Sequence, residues 1–254
     1  MSTSRHACAP LKGLINTLTY DFVDGFVIDE HLHLEDQLVY ASRGVMTVRT
    51  SEGTWVVPAQ RAVWIPARVP HSIVISGAVS MRTLYFRARL IRSLPRTCRV
   101  VNVSPLLREL ILHACNFKTL GRRKLAHAHL IDLIVDQLQT VESIPLQLPQ
   151  PSDPRALRVA SDLLRDPSDS RNLIQVCRNA GASKRTIERL FQLETNMTLG
   201  EWRKQLRLMR SLQLLAAGEK ITRVALEAGY STPSAFISMF RRQLGQTPKR
   251  YFTA

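Results

Sequence analysis

Apolar residues recur with helical spacing in two stretches near the C-terminus, and a glycine interrupts each series. The first stretch, VCRNAGASKRTIERLF, covers residues 176–191 and contains Gly181. The second, ITRVALEAGYSTPSAFISMF, covers residues 221–240 and contains Gly229. A residue just past a helix end often needs a positive φ, which glycine adopts without strain. Each stretch therefore predicts two short helices around a tight turn, a helix-turn-helix.

The two stretches are copies of one pattern, with their glycines 48 residues apart. Val176 corresponds to Val224, and Ala180 to Ala228. Phe191 corresponds to Phe240 only if the second copy has one extra residue at its turn or helix start. An internal repeat of this kind indicates a duplicated DNA-binding unit.

A long helix is predicted between the copies. Thr198 and Glu201 have the spacing of a capping box, and an apolar stripe follows as far as Leu215. From Thr198 to Ala217 the helix would rise about 30 Å at ~1.5 Å per residue. Successive major grooves on one face of DNA are ~34 Å apart. A rigid helix of this length can hold two recognition helices in adjacent grooves.

The pattern in the N-terminal half is that of strands, from Tyr20 to Arg89. Residues 45–50 and 54–57 form two β-rich runs joined by Ser51-Glu52-Gly53, a hairpin signal. Many short strands punctuated by prolines predict a small β-barrel or jelly roll. Two amphipathic helices follow between Ser104 and Thr140 and must bury their apolar faces, for which the chain's own barrel is one candidate surface.

These patterns predict a multidomain chain, with a β-barrel plus helices at the N-terminus and an all-α double helix-turn-helix domain at the C-terminus. The segment 143–154 has four prolines and little periodicity, which favours an extended linker. We therefore expect a strand-rich domain at 1–142, a linker at 143–154 and a DNA-binding domain at 155–254. Asp153-Pro154 is expected to open the first helix of that last domain.

Charge supports the same division. The chain carries a net charge of +15, and residues 155–254 account for +10 of it, with 18 basic and 8 acidic side chains. Such a domain attracts the phosphate backbone of duplex DNA. Four scattered cysteines without a CxxC pair suit a reducing cytoplasm, and no run approaches the ~20 apolar residues of a membrane span.

The stretch AGYSTPSAFISMFRRQLGQTPKRY resembles the signature of the AraC-type (AraC/XylS) transcription regulators, and the first copy and the intervening helix match the same family. The resemblance implies sequence-specific control of transcription, a ligand-responsive activator, and a cytoplasmic homodimer that works with RNA polymerase and a small-molecule effector. It implies no catalytic activity.

The outward positions of the two second helices are the expected DNA contacts. Arginine can bridge guanine O6 and N7, glutamate can accept from cytosine N4, and isoleucine can touch a thymine methyl group. The resemblance places base contacts at Arg185, Glu188 and Arg189, although Glu188 could instead pair with a neighbouring arginine. The candidate set is Lys184, Arg185, Glu188, Arg189, Pro233, Ser234, Ile237, Ser238, Arg241 and Arg242, the last two as phosphate contacts.

A second candidate site lies in the strand-rich half. The segments HLHLEDQ and PARVPH resemble the two motifs of the cupin barrel, whose metal-binding members place four ligands at the positions of His31, His33, Gln37 and His71. Two departures are Gln37, where glutamate is usual, and Arg68, where glycine is usual. These residues are expected to converge as a ligand-binding pocket, as hydrogen-bonded core histidines, or as a divalent-metal site.

Two other functions fit sections of the chain. One is a metal-dependent cupin enzyme with a helical appendage, which would bind metal and turn over a small substrate. The other is a non-specific DNA binder, which would be indifferent to sequence in competition binding.

Overall fold

The computed structural model describes residues 13–92, 94–141, 143–144 and 146–253. The chain forms two compact units, one of Met1–Thr50 and Trp55–Leu146, the other of Ser51–Thr54 and Gln147–Ala254. The division at residue 147 falls inside the proline-rich segment 143–154. The start of that segment is paired rather than free, because residues 143–144 bond to a strand of the first unit.

The first unit is built on an antiparallel sheet. The strands of the chain are β1 (Ile15–Phe22), β2 (Val27–His31), β3 (Asp36–Thr50), β4 (Gly53–Pro58), β5 (Arg61–Ile65), β6 (His71–Phe86), β7 (Arg99–Asn102), β8 (Thr119–Leu120), β9 (Ser143–Ile144) and β10 (Gln147–Pro149). Their order is β8-β1-β6-β3-β5-β7-β9, with β2 on β6, and β4 between β3 and β10. The hairpin predicted around residues 51–53 is confirmed as the β3–β4 turn.

The sheet-rich domain is confirmed. Among the described residues the sheet is not closed into a barrel, because its ladder ends at β8 and β9. The sequence predicted only short strands, whereas β3 and β6 are long, with 15 and 16 residues. β3 shifts register twice between Ala41 and Val45. Gly44 there has φ +79°, and a Cβ on it would lie 2.4 Å from the Ala78 carbonyl oxygen. Such bulges bend a strand without ending it. β3 therefore stays paired with β6 on both sides of the bulges.

Two helices cover one face of this sheet: α1 (Pro105–Ala114) and α2 (Leu125–Gln139). The Ser104 hydroxyl accepts a hydrogen bond from the Leu107 amide and caps α1. The inward faces of both helices join the sheet in one core, which includes Ile15, Leu38, Trp64, Phe86, Leu107, Ile111, Ile131, Ile134 and Leu138. Leu106, Leu125 and Leu133 point away from this core and are 53, 72 and 48 % exposed.

The second unit is helical. After the Asp153 N-cap come α3 (Pro154–Arg165), α4 (Leu173–Cys177) with a 3-10 turn at Arg178–Ala180, α5 (Lys184–Thr195), α6 (Leu199–Ala216), α7 (Ile221–Glu227), α8 (Pro233–Leu244) and α9 (Pro248–Thr253). No helix in the ranges that the structure describes is long and apolar enough to cross a membrane.

Helix α6 is the centre of this unit, because α5, α7, α9 and β10 all contact it. The predicted capping box is present: the Glu201 amide donates to Thr198 Oγ1, and the Thr198 amide donates to Glu201 Oε2. Nine α6 residues are buried: Leu199, Trp202, Arg203, Leu206, Leu208, Met209, Ser211, Leu212 and Leu214. A helix buried on more than one side is held rigidly by its neighbours.

Gly229 lies where α6 and the turn after α7 approach each other. Its φ is +74°, and a Cβ on it would lie 2.5 Å from Cζ of Arg207 in α6. That guanidinium cannot move freely, because it donates to the Pro167 and Asp169 carbonyls at 3.0 and 2.7 Å. Gly218 is the matched case, since its φ is +84° and its Cβ would meet open space.

We expect Gly229→Ala to lower the free energy of unfolding by about 2 kcal/mol or more, and Gly218→Ala by about 1 kcal/mol, the ordinary cost of a left-handed alanine. The difference between the two losses in unfolding free energy is the cost of displacing the Arg207 side chain. Urea unfolding of both variants measures it, and equal losses would mean that Arg207 moves aside at no cost.

Candidate functional site

The two helix-turn-helix copies have the same architecture. Gly181 and Gly229 are both left-handed, with φ of 70° and 74°. The N-caps are Ser183 for α5 and Thr232 for α8. Glycine and N-cap are therefore two residues apart in the first copy and three in the second, so the extra residue of the second copy lies in the turn.

Counting from the N-caps makes the buried faces correspond. Ile187 and Phe236 occupy the fourth position and are both fully buried. Phe191 and Phe240, at the eighth position, are also fully buried. The sequence predicted these inward residues correctly, and the opposite arcs of α5 and α8 are left to solvent.

On α5 the exposed arc is basic. Lys184, Arg185 and Arg189 are exposed, whereas Glu188 is half-buried. Glu188 Oε2 accepts a hydrogen bond of 3.1 Å from the Leu199 amide at the start of α6. Sequence reasoning missed this role, which fastens the recognition helix to the central helix. One carboxylate oxygen of Glu188 is thus already engaged within the protein.

On α8 the exposed arc is less charged at its start and basic at its end. Ser234 and Ser238 are exposed one turn apart, and Pro233 and Ile237 are half-buried. Arg241 and Arg242 are exposed in the last turn, before the left-handed Gly245. The helix therefore offers hydroxyls near its N-terminus and two cations near its C-terminus.

Two arginines of α6 have structural roles that the charge count did not reveal. Arg203 is 8 % exposed and donates to the Arg171 carbonyl at 2.6 Å, and burial lowers its pKa. It lies 3.8 Å from Asp169. A hydrogen bond from Arg171 holds the pKa of Asp169 below its usual range. With Arg207, some of the basic excess therefore ties α6 to the loop after α3 and is not available to DNA.

In the first unit the structure brings the four pocket residues together. The ring centres of His31 and His71 are 4.4 Å apart, and those of His33 and His71 are 5.1 Å apart. His33, Gln37 and His71 are buried and His31 is half-buried. Nδ1 of each imidazole lies 2.7–2.9 Å from a backbone carbonyl oxygen two residues away. Each Nδ1 is therefore placed to donate to that carbonyl oxygen.

Burial opposes protonation of two of these rings, His33 and His71. It lowers the pKa of His71 to about 4, and it lowers the pKa of His33. His33 Nε2 lies 2.8 Å from Gln37 Oε1. The amide nitrogen of Gln37 donates to the Thr83 hydroxyl at 3.0 Å, and that hydroxyl donates to the Leu38 carbonyl at 3.2 Å. His71 Nε2 is buried without a hydrogen-bond partner among the described residues.

The arrangement does not fit a bound metal ion. Within the described ranges of the chain, no group of three or more His, Cys, Asp or Glu side chains is placed to hold one. The physical reason lies at Gln37, because a neutral amide replaces the charge of a carboxylate and its side chain occupies His33 Nε2. The four side chains form a mostly buried cluster of three imidazoles and one amide.

A sheet-rich unit with a buried histidine cluster, followed by a helical unit with two helix-turn-helix copies whose second helices have exposed faces, is the architecture of a two-domain DNA-binding regulator. The family model for the AraC-like ligand binding domain matches residues 20–193, and that for a helix-turn-helix domain matches residues 176–254. The chain belongs to the AraC-type family of transcription regulators, as the sequence predicted.

Individual proteins are similar to this chain over different shares of its length. The HTH-type transcriptional regulator NimR of Escherichia coli K12 is 35 % identical over 221 residues, which are 87 % of this chain and 81 % of NimR. The regulatory protein SoxS of the same strain is 33 % identical over 81 residues, 32 % of this chain and 76 % of SoxS. A crystal structure of ToxT from Vibrio cholerae aligns over 94 % of both chains with a TM-score of 0.40 and 12 % identity.

The lowered pKa of His71 predicts acid sensitivity. Above pH 6.5 the ring is neutral in both the folded and the unfolded chain, so protonation of His71 does not lower the free energy of unfolding. As the pH falls towards 4, His71 binds a proton in the unfolded chain but stays neutral in the folded chain. The free energy of unfolding therefore falls by up to about 3 kcal/mol. We expect His71→Gln to flatten the dependence of the unfolding free energy on pH between 6.5 and 4. Exposed His129→Gln is the control, and equal slopes in both variants would contradict the assignment.

Proposed function

We propose that this regulator reads its operator mainly through α5, holds the DNA backbone mainly through α8, and activates transcription in response to a small molecule. The observation that carries the proposal is the exposed basic arc of α5, whose helix is fixed by the buried α6. In this proposal residues 1–142 sense the effector, 143–154 connect, and 155–254 bind DNA.

Arg185 and Arg189 are the residues to which we assign base reading. They are four positions apart, so they lie side by side on the exposed face of α5. A guanidinium is planar, always charged and able to bridge guanine O6 and N7. Lys184 fits a phosphate contact at the helix start, and Glu188 keeps one carboxylate oxygen for a cytosine amino group.

Helix α8 fits a different share of the contacts. Pro233, Ser234 and Ser238 would face the groove, and Ile237 would touch a thymine methyl group. Arg241 and Arg242, one turn or more further along, would meet phosphates, which carry no sequence information.

The first unit would supply the response to the effector, in a pocket lined by His31, His33, Gln37 and His71. Their rings and amide offer hydrogen bonds inside a buried site. We also propose that RNA polymerase is the partner in activation, that the chain acts in the cytoplasm, and that it is not an enzyme, as is general for a family of transcription regulators.

The two classes of arginine predict different binding behaviour. We expect Arg189→Ala to weaken cognate-site binding by about 1–3 kcal/mol and to relax preference at one base pair. Arg241→Ala should weaken cognate and random DNA about equally and lower the salt slope by about one unit. Binding isotherms on both DNAs across a salt series measure these differences.

Thermal unfolding serves as the control, because both side chains are exposed and neither truncation should alter stability. If Arg189→Ala reduces both affinities equally while stability is unchanged, Arg189 is only a phosphate contact. Base reading would then have to be assigned elsewhere.

We further propose that the chain is a homodimer that pairs through α1 and α2. Their inward residues are already buried against the chain's own sheet, yet Leu106, Leu125 and Leu133 remain about half or more exposed. Covering exposed leucines is favourable by roughly 25 cal/mol per Å² of apolar surface. Two helices that bury one face in the core can therefore offer the other to a partner copy.

Leu133→Asp should convert the dimer to a monomer, because a carboxylate at an apolar interface loses its hydration. Leu164→Asp, at a similarly exposed position of α3, is the matched control and should stay dimeric. Sedimentation velocity gives the mass in each case. A wild-type monomer, or dissociation by the control alone, would refute pairing through α1 and α2.

A further inference from the structure

The first unit contains a cavity that is separate from the histidine cluster. Its volume is about 760 Å³, within the range of small-molecule sites. Buried Trp64 and Ile91 form an apolar floor together with Leu94. Asp36 lines the cavity, and its neighbour Gln37 belongs to the histidine cluster. Because successive side chains point to opposite faces of a strand, the two sites lie on opposite faces of β3.

The lining of this cavity is strongly basic. It includes four arginines and one carboxylate, namely Arg68, Arg89, Arg92, Arg96 and Asp36. None of the ion pairs found among the described residues involves these four guanidiniums. The cavity therefore concentrates positive charge that the chain's own carboxylates leave uncompensated.

Asp36 positions the arginines without neutralising them. Its two carboxylate oxygens accept hydrogen bonds of 2.9 Å from the backbone amides of Ala67 and Arg89. One carboxylate at the start of β3 thus fixes both loops that carry lining arginines, the one after β5 and the one after β6. The Asp36 carboxylate therefore bonds to backbone amides and not to the arginine side chains.

Two of the four arginines are held in a backbone conformation that disfavours them. Arg68 and Arg89 both have φ of 66°, in the left-handed region where only glycine is free of strain. Strain of this kind is retained where a side chain has a role. Glycine would relieve it at both positions, so the arginine side chains, rather than the turns, account for these residues.

We propose that this cavity binds an organic anion, a carboxylate or phosphate carried on an apolar body. The guanidiniums take the anionic group in charge-assisted hydrogen bonds. Leu34 and Leu94, which line the cavity and keep apolar surface open, take the apolar body. A DNA backbone fits less well, because it lies along a surface and does not fill a recess with an apolar floor. Binding of the anion needs no DNA and does not depend on the function proposed above. Its role as an effector does rest on that proposed function.

The test is calorimetric titration of the full chain without DNA, using 2-naphthoate, 2-naphthyl phosphate and the neutral 2-naphthamide. At least one anion should bind, and the amide should bind about tenfold more weakly or not at all. Arg68→Gln and Arg89→Gln should each weaken anion binding about tenfold. Arg49→Gln removes an equal charge from an exposed position of β3 outside the cavity, and should leave the affinity within about twofold.

Several results would overturn the proposal. These are no binding of either anion, equal binding of the amide, or an equal loss with Arg49→Gln. If Arg68→Gln and Arg89→Gln weaken DNA binding but leave naphthoate binding unchanged, the arginines serve DNA instead. Arg96→Gln, at a residue without positive φ, repeats the test should a loop variant misfold. Failure of DNA recognition would not affect the titration, so the two proposals fail separately.

Discussion

Burial of helix α6 is the constraint on which the DNA-binding unit depends. Its 18 residues rise about 27 Å at ~1.5 Å per residue, and neighbours on several sides hold it in place. Trp202 stacks edge-on against Phe191 of α5 and donates to the Pro149 carbonyl at 2.8 Å. Glu188 of α5 accepts from the first amide of α6, and Arg207 of α6 lies against Gly229 of the second copy. Both helix-turn-helix copies therefore contact the same helix, α6.

The repeated pattern made this unit predictable. Apolar spacing located the inward residues of α5 and α8, the glycines marked the turns, and Thr198 with Glu201 marked the start of α6. Each of these signals is local, because it depends on residues within about one or two helical turns. The convergence of His31, His33, Gln37 and His71 was also predictable, because the two segments that carry them resemble the motifs of the cupin barrel.

Other features depend on contacts between residues far apart in sequence, which composition and periodicity do not encode. Charge counting could not separate Arg203 and Arg207, which hold loop carbonyls, from Arg189, which faces solvent. The bulges in β3 let one 15-residue strand stay paired with β6 from Asp36 to Arg49. The arginine-lined cavity exists because Asp36 joins two loops that follow different strands, and its only local sequence signal was an arginine at position 68 where glycine is usual in the resembling motif.

The central claim is that α6 sets α5 and α8 to enter successive major grooves on one face of the duplex. Hydroxyl-radical footprinting of the full chain on its operator tests this most directly. For each double helix-turn-helix the account predicts two protected segments about 10 base pairs apart on the same face. Protection of a single groove, or of two segments about half a turn out of phase, would contradict it.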